Sequence, residues 1–351
     1  MEQANVPRGE FSPVPSESDS AKPVHKIIVR RVLMLAVTGV GLYLVWPSLV
    51  AAFSTWPDLA TLDPTWLLAI GLLEASSFFC MWLLLGLVLR TKERFLVSTS
   101  QLAGNAAGRI LPGGPAVGGA LQFQMLRDCG LDAGAIGTGL GVASALITAV
   151  LAALPLPAIP PILAGVPVHE NLVDAVWIGS ALFGVIFVGG AAAPFLDRLV
   201  VIAGRLVRWV GRRLHRSRPP AADLPEVLLV KRNEVRQFLG MLWRRALLAT
   251  AGKVGFDYLA LVSAVAAVGV RARPSLILLA FVAAGILGMI PITPGGLGFV
   301  EVGLTATLVL AGVPSAQVFL ATLAYRLFSY WLPLPAGLVA YNLFRRRYPA
   351  R

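Results

Sequence analysis

One helix-breaking element is written twice in this chain, and both copies sit inside apolar sequence. Residues 111–120 read LPGGPAVGGA and residues 293–302 read TPGGLGFVEV. Pro112, Gly113 and Gly114 stand 182 positions before Pro294, Gly295 and Gly296, and at that spacing Gly130 falls on Gly312 without a gap. Proline lacks a backbone donor and glycine is a poor helix former, so Pro-Gly-Gly interrupts a helix. Lipid tolerates interrupted backbone only where it is buried in protein or lines a cavity.

That the surroundings are lipid follows from composition. Of 351 residues, 57% are hydrophobic and 14% are charged, and the mean hydropathy is +0.76. This exceeds what a soluble core requires and marks an all-α polytopic membrane protein. A crossing helix needs about 20 mainly apolar residues. Six segments meet that requirement: 32–53, 66–89, 134–154, 172–194, 246–270 and 316–343. Two shorter apolar stretches, about 95–128 and about 275–312, are each broken by a Pro-Gly-Gly. An arm of about 12–15 residues gives about 18–22 Å of helix, too short to cross. Each stretch is therefore expected to be a re-entrant hairpin that enters and leaves on one side.

The first 24 residues, rich in Ser, Pro and Glu, have the composition of a disordered tail. The apolar segment after Arg31 is too long for a secretory leader and has no cleavage signal, so it is expected to remain. The expected organisation is a cytoplasmic tail over 1–30, one transmembrane domain over 31–345, and a short tail over 346–351. Within the domain, a first repeat covers about 66–155, a basic amphipathic cytoplasmic segment covers 195–245, and a second repeat covers about 246–343. In that basic segment, Leu196, Leu199, Leu206, Val210 and Leu214 recur at amphipathic spacing beside several arginines, as in a helix lying on the membrane surface.

Charge orients the chain. With the N-terminus inside, 25 of the 30 lysines and arginines are cytoplasmic, two (Arg271 and Arg273) are outside, and three lie within the membrane. The positive-inside rule then places both termini in the cytoplasm of a plasma-membrane protein. The net charge of +12 is accounted for by loops beside anionic lipid, without nucleic acid. In this layout helix 66–89 runs from outside to inside and its counterpart 246–270 runs the other way. The two hairpins then dip in from opposite sides and their tips meet near the midplane, an inverted-topology repeat of the kind in which transporters build a substrate site.

Six ionisable residues fall near one depth. Glu301 lies about ten residues before the turn at Gly312–Ser315 and Arg326 about eleven after it. At 1.5 Å per residue both are ~15–17 Å deep, half of a ~30 Å hydrocarbon layer, so they can pair. Lys253 and Asp257 share a helix face at i and i+4. Glu74 is central in helix 66–89, and Arg109 precedes the first Pro-Gly-Gly. Each costs roughly 2.5–3.5 kcal/mol in a membrane on insertion scales. They either neutralise one another as structural ion pairs or line a polar cavity, where Arg109 and Arg326 would hold phosphate through guanidinium geometry. Glu301 also stands where it complements the positive end of the helix after Gly298. Tyr325, Phe328, Tyr330 and Trp331 surround Arg326, as interface anchors and packing residues or as a gate.

Other chemistry is not written in the sequence. There is no Walker A loop, and His25, His169 and His215 are scattered over the tail and loops, so neither ATP hydrolysis nor a histidine metal site is expected. Cys80 and Cys129 match no metal or disulfide spacing and are expected to be reduced. No cofactor is expected.

The run PGGLGFVE at 294–301, the turn Ala311-Gly312-Val313-Pro314, and LAYRLFSYWLPLPAG at 323–337 resemble the lysylphosphatidylglycerol synthase transmembrane-domain family, a flippase-like group of integral membrane proteins. The resemblance covers most of residues 30–345 and is most specific at Pro294, Gly295, Gly296, Gly298, Glu301, Gly312 and Arg326. It implies a domain that moves an aminoacylated phospholipid between leaflets, fused in the best-known relatives to a soluble transferase. This chain resembles the stand-alone members, which implies no lipid synthesis. The first half departs from the family pattern. It has Gly119 and Gln122 where many relatives carry charges, and Ser144 in the position equivalent to Arg326.

The functional expectation is a translocase for a phospholipid or lipid-linked molecule with an anionic or zwitterionic headgroup. The alternatives are a non-transporting partner of a cell-envelope enzyme, and an intramembrane lipid-modifying enzyme using Glu301 or Asp257 as acid or base. A homo-oligomer is compatible with any of them.

Overall fold

The computed structural model describes residues 59–111, 113–156, 177, 224–289 and 298–348, with side chains in the fourth stretch described over 242–285. The expected crossing segments 32–53 and, apart from Trp177, 172–194 lie outside these residues. So do the N-terminal tail, Pro112, Pro294, Gly295 and Gly296. Among the described residues every regular element is helical, as expected.

Helix α1 spans Pro64–Val88, close to the expected 66–89. Its start is set by the Asp63 carboxylate, which accepts from the Thr65 N–H at 2.9 Å, and by Pro64, whose missing donor costs nothing in a first turn. The helix is inside-out relative to a water-soluble one. Leu68 and Leu72 are 64% and 60% exposed, whereas Glu74 is 5% exposed and Ser77 is buried beside it. An apolar outer face and a polar inner one suit lipid as the solvent. α1, α4 (Ala133–Ala153) and residues Leu242–Ala267 of α5 are each long and apolar enough to cross a bilayer.

The first broken stretch is a helical hairpin: α2 (Arg94–Ile110), a turn at Gly113 and Gly114, and α3 (Pro115–Asp128). Its arms meet along glycines. A Cβ on Gly104 would lie 2.8 Å from the Gly118 carbonyl oxygen, and one on Gly108 would lie 3.1 Å from that of Gly114. The pairs 104–118 and 108–114 keep one antiparallel register, and no larger side chain fits between the two backbones.

α3 ends in a Schellman motif. Leu131 N–H reaches the Leu126 carbonyl at 3.4 Å and Gly130 N–H reaches Arg127 at 2.9 Å, with Gly130 at φ +86°. α7 (Phe299–Leu310) ends in the same way: Val313 N–H to Leu308 at 3.0 Å, Gly312 N–H to Val309 at 2.9 Å, and Gly312 at φ +92°. The matched glycines therefore occupy one position of one cap. The next helices, α4 at Ala133 and α8 at Ser315, also begin 182 positions apart. α6 (Pro274–Met289) and α7 pack together as the two arms of the second broken stretch.

Two expected boundaries differ. Residues 224–245, read as the end of a surface segment, are continuous with the crossing helix: α5 runs from Leu224 to Ala267 without a break. At 1.5 Å per residue that is about 66 Å, roughly twice the hydrocarbon thickness. The expected single helix 316–343 is divided into α8 (Ser315–Arg326), a π-turn over Leu327–Trp331, and α9 (Pro333–Arg347). Pro333 and Pro335 offer no N–H to the carbonyls of Ser329 and Trp331, and Leu332 N–H bonds five residues back to Leu327 at 2.8 Å.

Two apolar clusters organise the helices. One contains Ile70, Leu261, Ile277, Leu308 and Val318; the other contains Leu85, Leu96, Leu126, Ile136, Ala246 and Phe344. α1 runs from the first cluster to the second, and α5 runs from the second to the first. α4 and the α8–α9 segment are opposed in the same sense. The ends of the α2–α3 hairpin are held in the second cluster, and the α6–α7 pair is held in the first. Arg347 lies over the Phe95 ring at 4.8 Å, which puts the basic C-terminus beside the start of α2.

Candidate functional site

Between the two apolar clusters lies a cavity of about 260 Å³ lined by charged and polar side chains. α1 contributes Glu74 and Ser77, α2 contributes Gln101, Asn105 and Arg109, and α5 contributes Lys253 and Asp257. Tyr325, Arg326 and Ser329 come from α8 and the π-turn. Five of the six ionisable residues picked out from the sequence thus face one space, and the sixth, Glu301, adjoins it through Arg326.

Lys253 and Asp257 pair as the i,i+4 spacing requires, Nζ to Oδ2 at 2.8 Å. The other oxygen of Asp257 accepts from the Tyr325 hydroxyl at 2.7 Å. Ser77 Oγ donates to the Lys253 carbonyl at 2.9 Å, tying α1 to α5 at the level of the site. A Cβ on Gly252 would meet Cys80 Sγ at 2.8 Å, so the two helices touch one turn away. Cys80 and Cys129 are both free thiols.

Glu301 and Arg326 meet directly. Arg326 Nε donates to Oε1 at 2.8 Å, and Nη2 approaches the same oxygen at 2.7 Å without hydrogen-bond geometry. Glu301 Oε2 accepts from the Gly298 N–H at 2.7 Å. Both readings of Glu301 are therefore realised in one carboxylate: it neutralises a buried cation and caps the start of α7. Val302, next in the chain, is 70% exposed, so the helix turns its apolar side outwards and its acid inwards.

Arg109 is engaged differently. Its Nη1 donates to the carbonyls of Ser329 at 2.6 Å and Tyr330 at 2.8 Å. The Tyr330 ring is shared by both arginines, with Arg109 Cζ 4.9 Å and Arg326 Cζ 4.4 Å from its centroid. A tyrosine ring offers each cation an attractive face where water is scarce. The aromatics read as anchors or a gate are split by this packing: Tyr325 and Tyr330 are buried at the site, and Phe328 lies against Gly71, where an added Cβ would come 3.0 Å from its ring.

The family profile described as Lysylphosphatidylglycerol synthase TM region matches residues 31–337. The chain belongs to this family. Membership makes it a multi-pass membrane protein of lipid or cell-envelope metabolism or transport. No individual curated protein matches the chain.

Within this family member the site is lopsided. At the 182-residue spacing Glu301 corresponds to Gly119 and Arg326 to Ser144. A Cβ on Gly119 would meet nothing within 4 Å, and Ser144 is exposed. The ion pair is thus built in the second copy alone. Gln122 is half-buried, and its Nε2 is buried and unpartnered among the described residues.

Sequence reasoning passed over Ser77, Gln101 and Asn105. A signal for the last two was present: Gln101, Asn105 and Arg109 recur every fourth residue, which places all three on one face of α2. Gln101 is also held by Trp82, whose Nε1 donates to Oε1 at 3.1 Å.

Proposed function

We propose that this chain is an integral membrane translocase, flippase-like, for a phospholipid or lipid-linked molecule. The observation that carries the reading is the charged cavity itself, enclosed by helices whose outward faces are apolar. A purely structural ion-pair core has no need of a cavity. The headgroup would enter the polar space while its acyl chains remain in lipid. Arg326 has a buried nitrogen without a good hydrogen bond, and Arg109 shares the Tyr330 ring with it, so an anionic phosphate oxygen has two guanidinium groups to meet.

Alternating exposure of this site calls for two opposed halves. The antiparallel courses of α1 and α5, and of α4 and α8–α9, support six crossing helices with two re-entrant hairpins in an inverted repeat. The basic last turn of α9, with Arg347 over Phe95, supports a cytoplasmic C-terminal end, and the distribution of basic residues along the chain supports a cytoplasmic N-terminal end in a plasma membrane. The chemistry invoked is binding and movement, with no cofactor and no covalent step.

The test is reconstitution into liposomes with fluorescent anionic and zwitterionic phospholipids. Wild type is expected to speed their exchange between leaflets, and Glu301→Gln and Arg326→Gln to slow it at least tenfold while remaining monodisperse. No exchange by wild type across the whole lipid panel overturns the proposal. A chemically altered lipid, detected by mass spectrometry, would make the protein an enzyme instead.

A further inference from the structure

Glu74 is the group that the ion pairs leave over. It opens on the cavity from the middle of α1 with only 5% of its surface exposed, and its Oε1 has no hydrogen-bond partner among the described residues. Asp257 lines the same cavity. Asp257 already receives Lys253 Nζ at 2.8 Å and Tyr325 Oη at 2.7 Å, one on each oxygen. Glu74 has no ion pair among the described residues, and a carboxyl buried without one is cheaper protonated than charged. Asp257, with two donors of which one is the lysine, is the anion. Glu74 is then the acid.

The charged and titratable groups around Glu74 are Asp257 and Lys253 on α5, Arg109 on α2, and Tyr325 beyond Asp257 on α8. With Glu74 neutral, the Lys253–Asp257 pair is self-contained. With Glu74 ionised, two carboxylates share one lysine, and each has to draw on Lys253 or Arg109. Arg109 can answer only by loosening its hold on the Ser329 and Tyr330 carbonyls. Protonation of one carboxyl is thus connected, through named contacts, to the π-turn beside Arg326.

We propose that Glu74 is a proton-binding site and that its proton is the ion coupled to lipid movement, an inference that rests on the translocase reading above. In one state of the cavity an O–H bond forms on Glu74 with a proton taken from water on one side of the membrane. In the other state that bond breaks and the proton passes to water on the opposite side. One proton moves per cycle, and no electrons are transferred.

Two measurements on the full reconstituted chain test this. The first is infrared spectroscopy of the carboxylic-acid carbonyl stretch as a function of pH. Wild type is expected to show a protonated-carboxyl band at neutral pH that disappears in alkali, and Glu74→Gln to lack that band. In Asp257→Asn, which removes the neighbouring negative charge, the band is expected to titrate at least one pH unit lower. Absence of the band in wild type, or its persistence in Glu74→Gln, overturns the proposal whether or not lipid moves. If Glu74→Gln does not fold, the Asp257→Asn shift decides alone.

The second measurement is labelled-lipid movement with and without an imposed pH gradient, alongside an entrapped pH dye. Wild-type movement is expected to accelerate severalfold in one gradient direction and to carry protons across. Lipid movement indifferent to the gradient overturns coupling and leaves the translocase reading intact. No lipid movement at all removes that reading and coupling together, while the infrared band still reports whether Glu74 holds a proton.

Discussion

Arg109 and Ser329 are 220 residues apart in sequence, and the guanidinium of the first donates to the backbone carbonyl of the second at 2.6 Å. Ser329 is four residues before Pro333, so the N–H that would satisfy its carbonyl in a continuous α-helix does not exist. The hairpin arginine supplies the missing donor, and it serves Tyr330 as well. In return Tyr330 Oη donates to the Arg109 carbonyl at 3.3 Å. A broken helix in one half of the molecule is thereby completed by a side chain from the other.

This relationship predicts an interaction that a double-mutant cycle can read. Arg109→Leu takes the donor from two part-buried carbonyls and should cost about 2–6 kcal/mol, at roughly 1–3 kcal/mol for each unsatisfied group. Pro333→Ala returns an N–H to Ser329, so the same arginine substitution should cost at least 1 kcal/mol less in that background. Unfolding in detergent micelles gives both values, and equal costs in the two backgrounds would refute the account.

The Glu301–Arg326 pair predicts non-additive losses. Removing either charge leaves its partner uncompensated inside the bundle, which costs roughly 3–5 kcal/mol. The double change to Glu301→Gln with Arg326→Gln should be milder than the sum of the two single changes. Thermal unfolding monitored by size-exclusion chromatography checks this, and strict additivity would show that the contact at 2.7 Å carries no coupling.

Gly130 and Gly312 offer a paired test of backbone conformation without packing. A Cβ at either site meets nothing within 4 Å, yet both residues have positive φ. Alanine at each should therefore cost only the left-handed penalty of about 1–2 kcal/mol, similar at the two positions. A neutral substitution at one and a costly one at the other would separate the two caps.

Gly104 predicts the opposite kind of loss, one of space. A methyl there would lie 2.8 Å from the Gly118 carbonyl oxygen, with neither backbone free to move. Gly104→Ala should part the arms of the hairpin at a cost of about 1–3 kcal/mol, and Gly104→Leu should cost more. The melting temperature in detergent should fall accordingly, and an unchanged value would mean that the arms do not meet on this seam.

Asp63 predicts a pH dependence outside the membrane layer. Hydrogen bonds from the Thr65 N–H and hydroxyl hold its carboxyl below the usual value of 3.8. A group whose folded value is lowered stabilises the fold above its unfolded value and loses that contribution as pH falls through the folded one. The stability gap between wild type and Asp63→Ala should be full at neutral pH and close only in acid below the ordinary carboxylate range, as read by thermal melts across pH.

Much of the local structure was legible in particular residues. Asp63-Pro64 announces the start of α1, Gly130 and Gly312 announce the ends of α3 and α7, and Lys253 with Asp257 announces an ion pair one helical turn apart. These are short-range effects, in which capping, positive φ and i,i+4 proximity depend on a handful of neighbouring positions. The division of the last helix was also written, in Pro333 and Pro335, but a single apolar run masks it. Apolar content does not register a missing donor.

By itself the sequence determined the membrane class and the repeated break, and it singled out six ionisable groups in apolar surroundings, because composition and breakers act locally. Only the tertiary structure decided that Arg109 spends its donors on a distant backbone, that two arginines share the Tyr330 ring and that Glu74 and Asp257 line one cavity. Those meetings depend on how each helix is rotated about its axis against neighbours more than a hundred residues away. That rotation comes from close approaches such as Gly252 on Cys80 and Gly337 on Leu102, in which both partners act at once.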